Sequence, residues 1–223
     1  MYCSPAATIA SLSLFAPSEM AFLHGDELAG KGGLLDGVHL LHTPTRLAGP
    51  QLVPLIYAAA ILANEEVETI HLVEHESHED RSVWNELYVA DGPAAVNWPG
   101  QSIERRLCAM LSPQPIRVFE LLYNLLAADR DNPWQQAVDV VAEGLAERGL
   151  AEKQTVHHLF FSTERLALSE RTRNRVALQS LDRVRDLLRT CQETRPAVWQ
   201  MLIRDIRRGV ERRRPGVRNS EAA

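Results

Sequence analysis

The spacing of apolar and polar positions changes along the chain, and each change predicts an element. Leu52, Val53, Leu55, Ile56, Ala59, Ala60, Ile61 and Leu62 cover almost the whole circumference of a helix. That predicts a buried helix over Leu52–Ala63, with Pro50 and Pro54 bracketing its first turn. The period then drops to two: Val67, Thr69, His71 and Val73 share one strand face, and Ile70 and Leu72 the other. Charge-rich Glu74–Arg81 reads as a loop, Trp84–Ala90 as the returning strand, and Asp91-Gly92-Pro93 as its end.

The same order recurs further on. Pro133 takes the favoured first position of a helix running to Arg148, with Val138, Val141 and Leu145 inward and Gly149 as C-cap. Leu150–Leu168 reads as two short strands, with Thr155–Phe161 the apolar arm. Ser169 caps a long helix carrying Val176, Leu181, Val184, Leu187, Leu188 and Cys191 at helical spacing. Between the two units, Ile103–Leu111 and Ile116–Ala127 are amphipathic helices, and Ala197–Val210 is a last helix exposing Arg204, Arg207 and Arg208. Residues 1–33 show no sustained period, and Leu34–Leu47, broken by Pro44, is compatible with a hairpin or a loop. The expected fold class is mainly α, with winged-helix-like helix–hairpin units and short β-hairpins. The expected organisation is an irregular segment over 1–33, one helical domain over 34–212 and a frayed basic tail over 213–223.

Composition narrows the class. The 223 residues are 45 % hydrophobic and 24 % charged, which suits a folded domain, and only 6 % aromatic, which favours an aliphatic core of packed helices. Three cysteines, Cys3, Cys108 and Cys191, without CxxC spacing point away from disulfides and thiolate zinc, toward a reducing cytoplasm. No apolar run approaches the roughly 20 residues of a membrane span. The N-terminal stretch lacks basic residues before Lys31, so it is a poor signal peptide. The expected location is cytoplasmic, with peripheral membrane association open.

Charge is segregated. Residues 1–162 hold 9 Lys and Arg against 21 Asp and Glu, a net of −12, whereas residues 163–223 hold 15 against 8, a net of +7. Such a chain meets an anionic partner through one end. Equally, Arg165, Arg171, Arg173, Arg175, Arg183, Arg185 and Arg189 can form a solvated helix face, interleaved with Asp182 and Asp186.

Catalytic signals are missing. GxSxG, P-loop and HExxH motifs do not occur, so no catalytic residue, metal site or cofactor is assigned and a non-enzymatic role is expected. Among the histidines, His71 and His75 share a strand face about 13 Å apart, too far to chelate one ion. His75 and His78 could reach one ion from a loop, or simply sit in a solvated segment.

At residues 100–180 the chain resembles the Golgi phosphoprotein 3 family. Pro99-Gly100-Gln101-Ser102-Ile103-Glu104-Arg105-Arg106-Leu107 is similar to the family's Pro-Thr-Gly-Asp segment leading into an acidic, leucine-bearing helix. Pro115–Leu122 looks like its next helix. Val141–Gly149, Glu152-Lys153-Gln154 and His158–Phe161 are similar to its helix, glycine stop and apolar hairpin, and Ala60–Leu72 to its leucine-rich helix and first strand. The resemblance implies a helical disc with a projecting hairpin that binds phosphoinositide head groups at a membrane surface, with some members recruiting protein tails there. The family's pocket arginines fall on Pro54, Gln135 and Val138 here, and no tryptophan precedes Trp84.

Together these readings select Leu159, Phe160 and Phe161 as an apolar tip flanked by Arg148, Lys153 and Arg165, facing an anionic membrane lipid or a protein partner, a second copy included. Adjacent strand residues face opposite ways, so Phe160 and Phe161 cannot both turn into the core of the protomer. The alternative is a winged-helix scaffold that binds protein or nucleic acid. Its helix from Pro133 shows Gln135, Gln136, Asp139 and Glu143 rather than a basic face, which disfavours nucleic acid.

Overall fold

The structure, a computed structural model, describes residues 14–33, 35–41, 43–79, 82–126, 132–157 and 162–212; for 77–79, 82–84, 153, 156–157 and 162–165 it describes the backbone alone. The described chain is mainly helical with small antiparallel sheets. The expected tail over 213–223 lies outside the described residues.

At the centre is α3 (Gly49–Glu66). Its residues Leu52, Val53 and Ile56 through Ala63 are all 2 % exposed or less, as predicted for a helix apolar on every side. The run of alanines lets neighbours come close: α1 (Pro17–Leu23), α4 (Ile103–Ala109), α6 (Pro133–Glu147), α8 (Asp182–Thr194) and α9 (Pro196–Glu211) all pack against it. The two polar side chains that this packing buries on α3, Tyr57 and Asn64, are both paired. The Tyr57 hydroxyl donates to the Ala137 carbonyl at 3.0 Å, and burial pushes its pKa well above the usual phenol range.

Several elements depart from the sequence-based expectation. Residues expected to be irregular contain α1 and the one-turn α2 (Gly25–Leu28), and Phe15, Ala21 and Phe22 are fully inside. The seven-residue α1 is too short to show a period, and it is stabilised at its start by the Glu19 carboxylate accepting the Ala16 N–H at 2.9 Å. Leu34–Leu47 resolves into a minimal bridge between β1 (Gly37–Val38) and β2 (Leu47–Ala48).

The expected loop at 74–81 is strand for most of its length. β3 (Ile70–Glu79) pairs residue for residue with β4 (Ser82–Asp91), from Ile70↔Asp91 to Glu79↔Ser82. The β3 side chains of Val73–Glu76 are exposed, although Leu87 opposite Glu74 is buried, so the apolar alternation that marks a half-buried strand is absent from β3 there. The helix expected from Ile116 is preceded by β5 (Ile116–Arg117), paired to Tyr88 and Val89 of β4, and α5 spans Val118–Leu125. The long helix after Ser169 is two: Ser169 caps α7 (Glu170–Val176), accepting the Thr172 N–H at 3.3 Å, and the chain turns before α8 begins.

No helix among the described residues is long and apolar enough to cross a membrane.

Candidate functional site

Gly149 sets the direction of the second hairpin. Its φ of 70° lies in the left-handed region, and with Leu150 it returns amide protons to the Ala146 and Leu145 carbonyls at 2.9 Å each. That glycine-specific helix stop sends the chain into β6 (Ala151–His157), which pairs with β7 (Ser162–Leu168). Among the described side chains of the ribbon, those at its root enter the core: the opposed Ala151 and Leu168 are buried, with Leu166 partly covered. Glu152, Gln154 and Thr155 are exposed. The ladder closes at His157↔Ser162, and Leu159, Phe160 and Phe161 lie outside the described residues.

The six residues selected from sequence do not all converge. Lys153 pairs with Leu166 and Arg165 with Gln154. These are consecutive rungs, so the two basic positions fall on opposite faces of the ribbon. Arg148 is not a rim cation. It is 16 % exposed, it donates to the Leu14 carbonyl at 3.2 Å, and it forms an ion pair with the buried Glu19 carboxylate. Its charge is answered inside the protein, because a buried carboxylate so placed requires a cation.

No group of three ligating side chains that could hold a metal ion occurs among the described residues, and the His78 side chain lies outside them. His71 and His75 are exposed on β3, and the His75 ring rests 5.7 Å from that of Tyr88.

A second feature lies on α9. Its apolar side, with Val198, Leu202, Ile206 and Val210, is buried. The other side lines a groove of about 710 Å³ that includes Trp199, Ile203, Arg204, Arg207, Arg208 and Arg212. Arg208 and Arg212 hold their guanidinium carbons 4.2 and 5.6 Å from the centre of the Phe119 ring on α5, and Arg117 approaches the same ring at 4.8 Å. These are cation–π distances. Arg117 is ion-paired with Glu120 and with Glu86, and Arg204 with Asp205. Among the described residues no carboxylate lies within ion-pair distance of Arg207, Arg208 or Arg212. The α8 arginines differ: Arg183, Arg185 and Arg189 each have an acidic partner. The four-residue spacing of Arg204, Arg208 and Arg212 is visible in the sequence, but the convergence of Arg208 and Arg212 on Phe119, far away in the chain, is not.

No protein-family model, no curated protein and no solved structure matches this chain.

Proposed function

We propose that this protein is a peripheral membrane-surface adaptor of the Golgi phosphoprotein 3 type, with no catalytic role, whose β6–β7 hairpin docks on an anionic lipid surface. The supporting observation is the way that ribbon is held. It is rooted in the core by Ala151 and Leu168, while the described side chains beyond the root are solvent-facing. Two strands alone are marginal in water and leave both edges unpaired, so such a ribbon gains from a partner surface. The Leu159-Phe160-Phe161 sequence supplies apolar contacts for an interface, and Lys153 and Arg165 supply head-group attraction of about 1 kcal/mol each. With one cation on each ribbon face, the hairpin would enter tip first rather than lie flat. Arg148 takes no part in this contact; it anchors α1 to the root of the ribbon through Glu19. The nucleic-acid form of the winged-helix alternative is less well supported, since the exposed positions of α6 include Glu143 and Glu147, which repel a phosphate backbone.

Sedimentation with liposomes tests the reading. The full chain should pellet with vesicles containing anionic lipid and remain in solution with neutral ones. Changing Phe160 and Phe161 to Ser should abolish pelleting without altering the circular dichroism spectrum. Equal partition into the supernatant with both vesicle types would refute membrane docking.

A further inference from the structure

We propose that the groove on α9 is a separate protein-binding site, which takes an acidic peptide segment anchored by apolar side chains. The inference stands independently of the hairpin. It rests on the way four arginines are distributed around an apolar floor.

Arg204, Arg207, Arg208 and Arg212 lie along one side of α9, and Arg207, Arg208 and Arg212 have no acidic partner among the described residues. Two of these guanidinium groups, those of Arg208 and Arg212, lie at cation–π distance from Phe119, and Arg212 also lies 5.8 Å from the ring of Tyr123. A guanidinium held against an aromatic ring can still donate to a carboxylate through two parallel hydrogen bonds. Orientation set before binding also lowers the entropy lost on binding. Trp199 and Ile203 are partly buried in the floor, so the ligand must bring apolar groups as well as negative charge. The following residues, Arg213 and Arg214, carry the same sign as the groove and cannot neutralise it.

Two other polyanions fit less well. A bilayer would have to receive the apolar side of an interfacial helix, yet on α9 that side is committed to the core through Leu202, Ile206 and Val210. Nucleic acid would have to approach a chain whose first 162 residues carry a net charge of −12. A peptide has neither problem, because it can match the groove locally: Glu211 interrupts the basic row and would set its register.

Fluorescence anisotropy of the full chain with a labelled synthetic peptide of Glu pairs flanking Leu and Phe reads the interaction directly. The expected result is saturable binding that weakens steeply with salt and falls about tenfold or more in Arg207→Glu and further in Arg207→Glu/Arg208→Glu. Arg207 is exposed and has no stacking contact among the described residues, so the single variant keeps the test valid if the double variant misfolds. The same peptide with Gln for Glu should bind at least about tenfold more weakly. Comparable binding of the Gln peptide, undiminished binding by Arg207→Glu, or preferential binding of duplex DNA or anionic vesicles through these arginines would overturn the proposal. Vesicle pelleting by the hairpin should survive Arg207→Glu, which separates failure of this site from failure of the membrane reading.

Discussion

Ser18 donates both its backbone N–H and its hydroxyl to the Glu104 carboxylate, each at 2.8 Å, joining the start of α1 to the start of α4. Glu104 is completely buried, and burial is the main cause that lifts its pKa from 4.5 to about 7, with the neighbouring Glu19 carboxylate adding to the rise. An acid with a raised folded-state pKa contributes stability that is fully present below its unfolded value of 4.5 and is lost as pH climbs through about 7. The expected loss across that window is about 3 kcal/mol. Glu104→Gln imitates the protonated acid, with the amide oxygen accepting from the Ser18 N–H and the amide nitrogen donating to the Ser18 hydroxyl. Urea unfolding at pH 5 and pH 8 should show a clear fall for the parent and a much smaller one for the variant. Identical falls would mean that Glu104 is not the titrating group.

The Glu19–Arg148 pair makes the second prediction. Burial raises the Glu19 pKa, and the Arg148 charge opposes that rise. Arg148→Met removes the opposition, so unfolding at pH 7 should show a loss of about 3 kcal/mol. Because Glu19 then sits still further above its unfolded pKa, the loss should shrink as pH falls toward 4.5. Adding Glu19→Gln should recover part of the stability by removing the stranded charge. A double variant no more stable than Arg148→Met would show that the arginine acts through packing alone.

What was legible in the sequence followed how strongly one period dominated a segment. α3 and α6 are long and carry sustained apolar patterns, and Gly149 marks the stop of α6, so both helices and the hairpin after α6 could be placed. The strand character of Glu74–Glu79 is hidden because β3 exposes its side chains at Val73–Glu76; the buried Leu87 and Val89 that hold the ribbon to the core lie on its partner β4. α1 was hidden by its length. Arg148 turns inward, against its expected place beside the hairpin tip, for a different reason: its partner Glu19 lies 129 residues away, and no local pattern reports a contact of that separation. The helical period exposes Arg204, Arg207 and Arg208, as observed, but the approach of Arg208 and Arg212 to Phe119 depends on how α5 and α9 cross.

That crossing is tightest at Gly209. A Cβ there would stand 2.7 Å from the Phe119 carbonyl oxygen and 2.8 Å from Leu122 Cβ. Gly209→Ala would gain about 1 kcal/mol of helix propensity. The opposing contact is backbone, which cannot rotate away, and overpacking of this kind costs about 1–3 kcal/mol. The variant should therefore melt a few degrees lower despite its better helix propensity, and displacement of α9 from Phe119 should weaken peptide binding in the groove. A melting temperature equal to or above the parent's would show that α5 and α9 separate at no cost.

Asn64 supports the last prediction. Its side-chain oxygen accepts from the Trp98 indole at 2.6 Å, the Thr69 hydroxyl at 2.7 Å and the Cys108 thiol at 3.2 Å, while its amide donates to the Ala60 and Glu104 carbonyls. Asn64 is fully buried and Trp98 nearly so, so water cannot readily replace the missing partner. Asn64→Ala strands the Trp98 N–H and opens a cavity, which together should cost about 3 kcal/mol or more. Thr69→Val tests the same cluster from its edge. It removes one hydroxyl donor, and Asn64 retains the Trp98 and Cys108 donors, so the loss should be nearer about 1 kcal/mol. Urea midpoints should rank the parent above Thr69→Val and Thr69→Val well above Asn64→Ala. If the two variants are equally destabilised, the hydroxyl rather than the amide is the group on which the α3–α4 junction depends.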